Sequence, residues 1–281
     1  MSMLTNPLVT QIIDIALNED VGTGDITTET TIPADKKAFG RFIAKENMVI
    51  CGLEVAELVF HKVDKTIEFK ANCKDGDAIE KGFVIAEVSG NARNVLTGER
   101  TALNLMQRMT GVATRTNEAV KCVAGTSAKI TDTRKTTPGL RYLEKLAVRV
   151  GGGTNHRYNL SDGVLIKDNH IVAAGSITNA VESARDNVPH TIKIEVEVED
   201  FDMMNEALEA GADIIMLDNM SCEDMKRAVE IIDGRAIVEA SGNMGEKNLA
   251  EVAATGVDLI SIGALTHSVK ALDISLKFKL I

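Results

Sequence analysis

Between Lys129 and His170 the chain carries eight Lys or Arg residues (Lys129, Arg134, Lys135, Arg141, Lys145, Arg149, Arg157, Lys167). Against them stand four acids (Asp132, Glu144, Asp162, Asp168), a local net charge of +4 in a chain whose formal charge is −10. A basic segment in an acidic protein points to a pocket for a small polyanion. The Arg guanidinium is a planar fork that meets a carboxylate or phosphate through two parallel hydrogen bonds, and the Lys ammonium is a mobile point charge. Arg134-Lys135 and His156-Arg157 together suit a ligand bearing both groups. Arg141, Lys145 and Arg149 read equally well as one face of a solvated, ion-paired helix. Gly151-Gly152-Gly153 permits close backbone approach, but matches neither a Walker A loop nor G-x-G-x-x-G.

The acidic candidates are Glu197 and Asp218. Carboxylates of this kind can hold Mg²⁺ on a phosphorylated ligand, since that ion takes a few protein oxygens and completes its shell with water and phosphate. They can also bind a ribose, cap helices or pair with Lys. Ser241-Gly242-Asn243, followed by a helical stretch, and Gly263-Ala264 near Thr266 can offer backbone N–H groups at helix N-termini to a phosphate. His61, His190 and His267 have no context beyond a structural one.

These residues need a frame. Beyond Lys129, short apolar strands alternate with helical stretches: Ala128–Thr133, Gly163–Lys167, Ile192–Val198, Asp213–Asp218, Ala236–Ala240 and Asp258–Ile262, with a seventh expected near Ala147–Gly151. Near-continuous apolar strands between helices imply a parallel sheet buried on both faces. Fewer than eight strands make it an incomplete, open α/β barrel. Each strand ends in a polar or glycine pair, and barrel sites form where the loops following the strands converge. The N-terminal third reads instead as a small α+β sandwich. It holds a helix over Leu8–Leu17, a polar loop over 19–27, β-type runs at Gly40–Ile50, Thr66–Ala71 and Phe83–Val88, and helical spacing over Gly52–Lys62. A long helical pattern starts near Asn91, in which Gly98 and Gly111 are expected to bend or divide the helix. The expected division is 1–110 for the N-terminal domain and 111–267 for the barrel, with a tail of about 268–281 packing back on the former.

Composition removes other classes. Hydrophobic residues are 44% and charged residues 26% of 281, so disorder and coiled coil are poor global readings. Net acidity disfavours nucleic acid and anionic membrane, and 3% aromatics without Trp leave few platforms for stacking bases. Four dispersed cysteines fit neither a zinc site nor a disulfide framework. No apolar run reaches membrane-spanning length, and the opening residues Met1–Pro7 lack a signal-peptide core. A cytoplasmic location is expected.

Several blocks resemble quinolinate phosphoribosyltransferases, the decarboxylating enzymes of NAD biosynthesis: Glu99-Arg100-Thr101-Ala102-Leu103-Asn104, Thr133-Arg134-Lys135-Thr136-Thr137-Pro138-Gly139, Gly151-Gly152-Gly153-x-Asn155-His156-Arg157 and Lys167-Asp168-Asn169-His170. Glu195–Val198, Leu217–Asn219, Ala240–Asn243 and Gly263–His267 continue it, as does the early run Glu19–Thr27, so the likeness covers essentially the whole chain. The resemblance implies phosphoribosyl pyrophosphate and quinolinate as substrates, and Mg²⁺ as cofactor. It further implies a homodimer with shared sites, or a higher oligomer. By position, Arg100 would reach a neighbouring subunit's site, Arg134, His156, Arg157 and Lys167 would line the quinolinate pocket, and Thr133 would be a further substrate-binding residue. Lys135 and Lys167 would lie near the phosphoribosyl donor, and Glu197 and Asp218 near its ribose and Mg²⁺. Lys135, Lys167, Glu197 and Asp218 would be the catalytic set. Ser241, Gly242 and Asn243, with Ile262, Gly263 and Ala264, would hold the 5′-phosphate. Competing readings are a molybdenum-transport-associated phosphoribosyltransferase, a Schiff-base aldolase using Lys167, and a non-catalytic barrel that binds sugar phosphates.

Overall fold

The computed structural model describes residues 6–281; the Met1–Thr5 part of the opening segment lies outside the described residues. Two compact units emerge. One runs to Asn117 and adds Thr137–Gly152 and Ser268–Ile281; the other comprises Glu118–Thr136 and Gly153–His267.

The first unit opens with helices α1 (Pro7–Val21) and α2 (Ile26–Thr31). Asn6 and Asp25 start them, each carboxyl or amide oxygen accepting a first-turn backbone N–H, which satisfies donors that a helix start leaves over. There follow β1 (Lys37–Ala44), β2 (Met48–Val49), α3 (Leu53–Val63), β3 (Glu68–Ala71), β4 (Ala78–Ile79), β5 (Val84–Asn91) and α4 (Ala92–Cys122). The single run expected at Gly40–Ile50 is thus two strands, and the polar loop over 19–27 shortens because both bordering helices reach into it. The unit also holds α5 (Arg141–Val150) and β12 (Ile274–Leu280). Its main sheet runs β12-β1-β5-β3, antiparallel throughout, so the C-terminal tail is an edge strand on β1. Phe42, Phe60 and Phe69 meet with centroids 5.9 to 6.0 Å apart and form the core between sheet and α3.

The two helical glycines do not divide α4, which is continuous over 31 residues. They are packing positions. A Cβ on Gly98 would lie 3.0 Å from the Phe60 ring, and one on Gly111 2.3 Å from the Lys270 carbonyl oxygen. Close approach of other chain segments offsets what glycine costs a helix.

The second unit contains β6 (Lys129–Thr131), β7 (Val164–Ile166), α6 (Asp168–Ala174), α7 (Ile177–Asn187), β8 (Ile194–Val198), α8 (Phe201–Glu209), β9 (Ile214–Asp218), α9 (Cys222–Ile232), β10 (Ile237–Ser241), α10 (Leu249–Ala254), β11 (Leu259–Ser261) and α11 (Ala264–His267). The six strands pair in parallel in the order β6-β11-β10-β9-β8-β7, with β6 and β7 at opposite edges: an open α/β barrel. The strand expected at Ala147–Gly151 is a correction. Ala147–Val150 is the last turn of α5, whose apolar face repeats at helical spacing, and the strand-like contact falls later, where Thr154 bridges Thr131 in parallel. Of the residues left open above, Lys145 is buried in α5 while Arg149 is exposed. None of the described helices is long and apolar enough to cross a membrane.

Candidate active site

A cavity of about 310 Å³ opens at the C-terminal ends of the barrel strands, lined by Thr133, Arg134, Lys135, His156, Arg157, Leu165, Lys167, Glu197, Met216, Glu239, Ser241 and Ser261. Strand geometry explains the lining, because successive side chains alternate faces. On β8, Glu195 and Glu197 point to one side. On β10, Glu239 and Ser241 do the same, and register aligns Met216 with both Glu197 and Glu239.

The cationic side is built by two loops. After β6, the chain turns through Thr133, whose hydroxyl accepts the Lys135 backbone N–H at 3.0 Å. The Thr266 hydroxyl donates to the Lys135 carbonyl at 2.7 Å. This fixes the backbone from which Arg134 and Lys135 project. The second loop, Thr154–Arg157, runs beside β6: Thr154 N–H donates to the Ile130 carbonyl at 2.8 Å. Asp132, fully buried, accepts the His156 backbone N–H at 2.9 Å and the Asn155 amide at 2.6 Å. A buried carboxylate so partnered stops the loop from shifting. Arg157 donates from Nη1 to the Gly163 carbonyl at 2.8 Å. Its Nε is buried without a hydrogen bond, and burial followed by the neighbouring Arg134 charge pulls its pKa down. A bound anion would relieve both penalties.

Lys167, half-exposed at the end of β7, is ion-paired through Nζ with Glu197 Oε2. Below them lies a buried group. His156 Nε2 is 3.1 Å from Glu195 Oε2 and 3.7 Å from Glu239 Oε1. Burial, then the Glu195 charge, pushes the Glu239 carboxyl up to about 7, with His156 opposing.

The expected residues divide into those the cavity gathers and those it leaves apart. Thr133, Arg134, Lys135, His156, Arg157, Lys167, Glu197 and Ser241 meet there. Asp218 ends β9 beside them, with its Oδ2 accepting from Asn219 Nδ2 at 2.7 Å, but it is not in the lining. Gly242, Asn243, Ile262, Gly263 and Ala264 follow the ends of β10 and β11, also outside the lining. The helical stretch expected after Asn243 starts at Leu249; Gly242 at φ +89° and Asn243 at φ +52° turn the chain first. Arg100 is exposed on α4 in the first unit. Glu239, Met216, Leu165 and Ser261 are lining residues that the sequence reading missed. The available signal was the two-residue period: Glu239 precedes Ser241 by two and Leu165 precedes Lys167 by two.

An open α/β barrel whose strand ends converge on a cavity lined by Arg134, Lys135, Arg157 and Lys167 has the form of an enzyme that handles small, multiply charged substrates. Comparison with known proteins narrows this. Residues 25–110 match the N-terminal domain and residues 112–277 the C-terminal domain of quinolinate phosphoribosyl transferase, and the chain belongs to that family. It is 46% identical over 258 residues to a probable nicotinate-nucleotide pyrophosphorylase (carboxylating) of Bacillus subtilis, covering 92% of this chain and 89% of that protein. The chloroplastic nicotinate-nucleotide pyrophosphorylase of Arabidopsis thaliana is 45% identical over 285 residues, covering 95% and 81%. The structure of the nicotinate-nucleotide pyrophosphorylase from Francisella tularensis superimposes with a TM-score of 0.93 at 41% identity, covering 99% of this chain and 100% of that one.

Proposed function

We propose that this chain transfers the phosphoribosyl group of phosphoribosyl pyrophosphate to quinolinate, with loss of CO₂ and pyrophosphate, giving nicotinate mononucleotide. The observation that carries this is the convergence of Arg134, Lys135, Arg157 and Lys167 on one cavity in a chain of net charge −10, within a family named for that reaction. Both substrates are anions. Each close cation–anion pair contributes about 4 kcal/mol at an effective dielectric near 20, before desolvation.

Arg134 and Arg157 bind the two ring carboxylates, and the fixed backbone of each aims its fork. Lys135 and Lys167 face the phosphates of the donor. The ring nitrogen attacks ribose C1 as the bond from C1 to pyrophosphate breaks, and Glu197 and Asp218 stabilise the positive charge growing at C1. The bond from ring C2 to its carboxylate then breaks. Its electron pair stays on C2 beside the cationic nitrogen, and C2 takes up a proton. Glu197 and Asp218, at the ends of neighbouring strands, form a carboxylate donor set that would hold Mg²⁺; such an ion would supply charge neutralisation for the pyrophosphate leaving group. Catalysis is placed in the cytoplasm, by a homodimer or higher oligomer in which Arg100 serves the neighbouring site.

The decisive experiment mixes purified protein with both substrates and measures nicotinate mononucleotide, CO₂ and pyrophosphate, with and without Mg²⁺. Product formation in equal amounts is expected; no product with Mg²⁺ present overturns the reading. For the shared site, Arg100→Ala and Lys167→Ala subunits are combined, and hybrid dimers are expected to recover part of the activity. Hybrids that form without recovery refute that arrangement.

A further inference from the structure

Two buried glutamates under a pocket for anions are electrostatically misplaced unless they serve something else. Glu195 and Glu239 are 4% and 1% exposed, and the Oε1 of each makes no hydrogen bond. The ligand-type atoms of His156, Glu195 and Glu239 lie within 4.8 Å of one another, a spacing a divalent metal would accept. The His156 ring argues otherwise. The Arg157 backbone N–H donates to His156 Nδ1 at 2.7 Å. A nitrogen that accepts a hydrogen bond carries no hydrogen, so the ring's single hydrogen sits on Nε2, and Nε2 has no lone pair for a metal. That hydrogen points at Glu195 Oε2.

We propose that Glu195 and Glu239 are positioning residues for quinolinate. They clamp His156 through its Nε2–H, so that Nδ1 holds the Arg157 backbone N–H and fixes the direction in which the Arg157 guanidinium enters the cavity. The inference rests on reading the cavity as the quinolinate site. Three strands cooperate in the clamp: Glu195 on β8 and Glu239 on β10 flank β9, where Glu195 pairs with Ile214 and Glu239 with Met216. One N–H cannot satisfy two carboxylates. The raised Glu239 carboxyl fits a division of labour in which Glu195 is the charged acceptor and Glu239 a neutral neighbour that prevents the ring from tilting. Glu195 also favours the charge on Arg157. The chain therefore passes from two interior glutamates through one imidazole to the backbone and charge of a single substrate-binding arginine.

The test compares Glu195→Ala, Glu239→Ala and Glu239→Gln with the unaltered protein in steady-state kinetics for both substrates. Each variant is checked for folding by circular dichroism. For Glu195→Ala the quinolinate KM is expected to rise about tenfold or more, as for loss of a hydrogen bond at a charged group. The KM for phosphoribosyl pyrophosphate stays within about twofold on the same reasoning. Glu239→Gln, a neutral mimic of the protonated acid, should recover most of what Glu239→Ala loses. Should an alanine variant fail to fold, ¹⁵N-histidine spectra of the unaltered protein decide instead. A pyridine-type Nδ1 and a pyrrole-type Nε2 are expected for His156, assigned by loss in His156→Gln. A doubly protonated ring, the opposite tautomer, or stoichiometric broadening of these signals by Mn²⁺ overturns the clamp. So does an unchanged quinolinate KM in folded Glu195→Ala. If the unaltered protein does not use quinolinate at all, the functional reading fails instead, and the spectra still report on the clamp.

Discussion

The Glu239 carboxyl makes stability depend on pH in a direction opposite to most paired acids. Its ordinary value of 4.5 rises to about 7 in the folded chain, first because burial disfavours the charged form and then because Glu195 is close. The folded state therefore binds this proton more tightly than the unfolded state does. Its contribution is complete below about 4.5 and is lost as pH rises through about 7. At about 1.4 kcal/mol per pH unit, the span corresponds to roughly 3 kcal/mol at most. Glutamine at this position never ionises, so it provides the reference. Urea unfolding of the unaltered protein and of Glu239→Gln, at pH 5 and at pH 8, isolates the group. The difference between the two proteins should shift by up to about 3 kcal/mol in favour of Glu239→Gln between those pH values, a relative movement of the midpoints on the order of 1 M. Curves that keep a constant separation, within about 0.5 kcal/mol across that range, would refute the assignment of a bound proton to Glu239.

Arg134→Ala should raise the quinolinate KM or abolish turnover, by about tenfold or more, with the circular dichroism spectrum intact; unchanged kinetics would remove Arg134 from the site. Gly242→Ala should destabilise the protein by about 2 kcal/mol or more, read by denaturant unfolding. A Cβ there would lie 2.2 Å from Asn219 Oδ1 and 2.6 Å from its backbone nitrogen at φ +89°, and an unshifted midpoint would show that the turn relaxes freely. Borohydride added with either substrate should leave the protein mass unchanged, since Lys167 Nζ is engaged by Glu197; an adduct at Lys167 would revive the aldolase reading.

Much of the barrel was legible because its strands are short apolar runs separated by helical stretches, a pattern that sequence carries locally. Five of the six expected runs contain their strand and the sixth, Ala236–Ala240, is overrun by one residue at Ser241; no end differs by more than two residues. Ala147–Gly151 misled because four residues of an amphipathic helix look like a strand when the period is sampled over so short a window. Gly98 and Gly111 misled for another reason. Propensity argues for a break, but the Phe60 ring and the Lys270 carbonyl occupy the space a methyl group would take. Those neighbours are 38 and 159 residues away along the chain, a distance no local pattern spans. The cationic residues of the site were visible as types and spacings. What was not visible was the pair of interior glutamates, because Glu195 and Glu239 are 44 residues apart and meet only through the register of three strands.

The same geometry bears on why so acidic a molecule binds anions. Barrel interiors are ordinarily packed with branched apolar side chains, yet here Glu195, Glu197 and Glu239 occupy interior positions near the strand ends. Each faces a basic partner: Glu197 meets Lys167, and Glu195 with Glu239 meets His156. Lysine and arginine side chains lose considerable rotamer freedom when they are ordered. Interior carboxylates that order them in advance move that cost from binding to folding, which raises affinity for the bound anion without adding a contact to it. An all-cationic pocket would attract the same substrates, but its side chains would repel one another and splay before a ligand arrived. For Lys167, interior acid thus keeps the basic group aimed, and removal of the Glu197 carboxylate should weaken binding even though it removes negative charge.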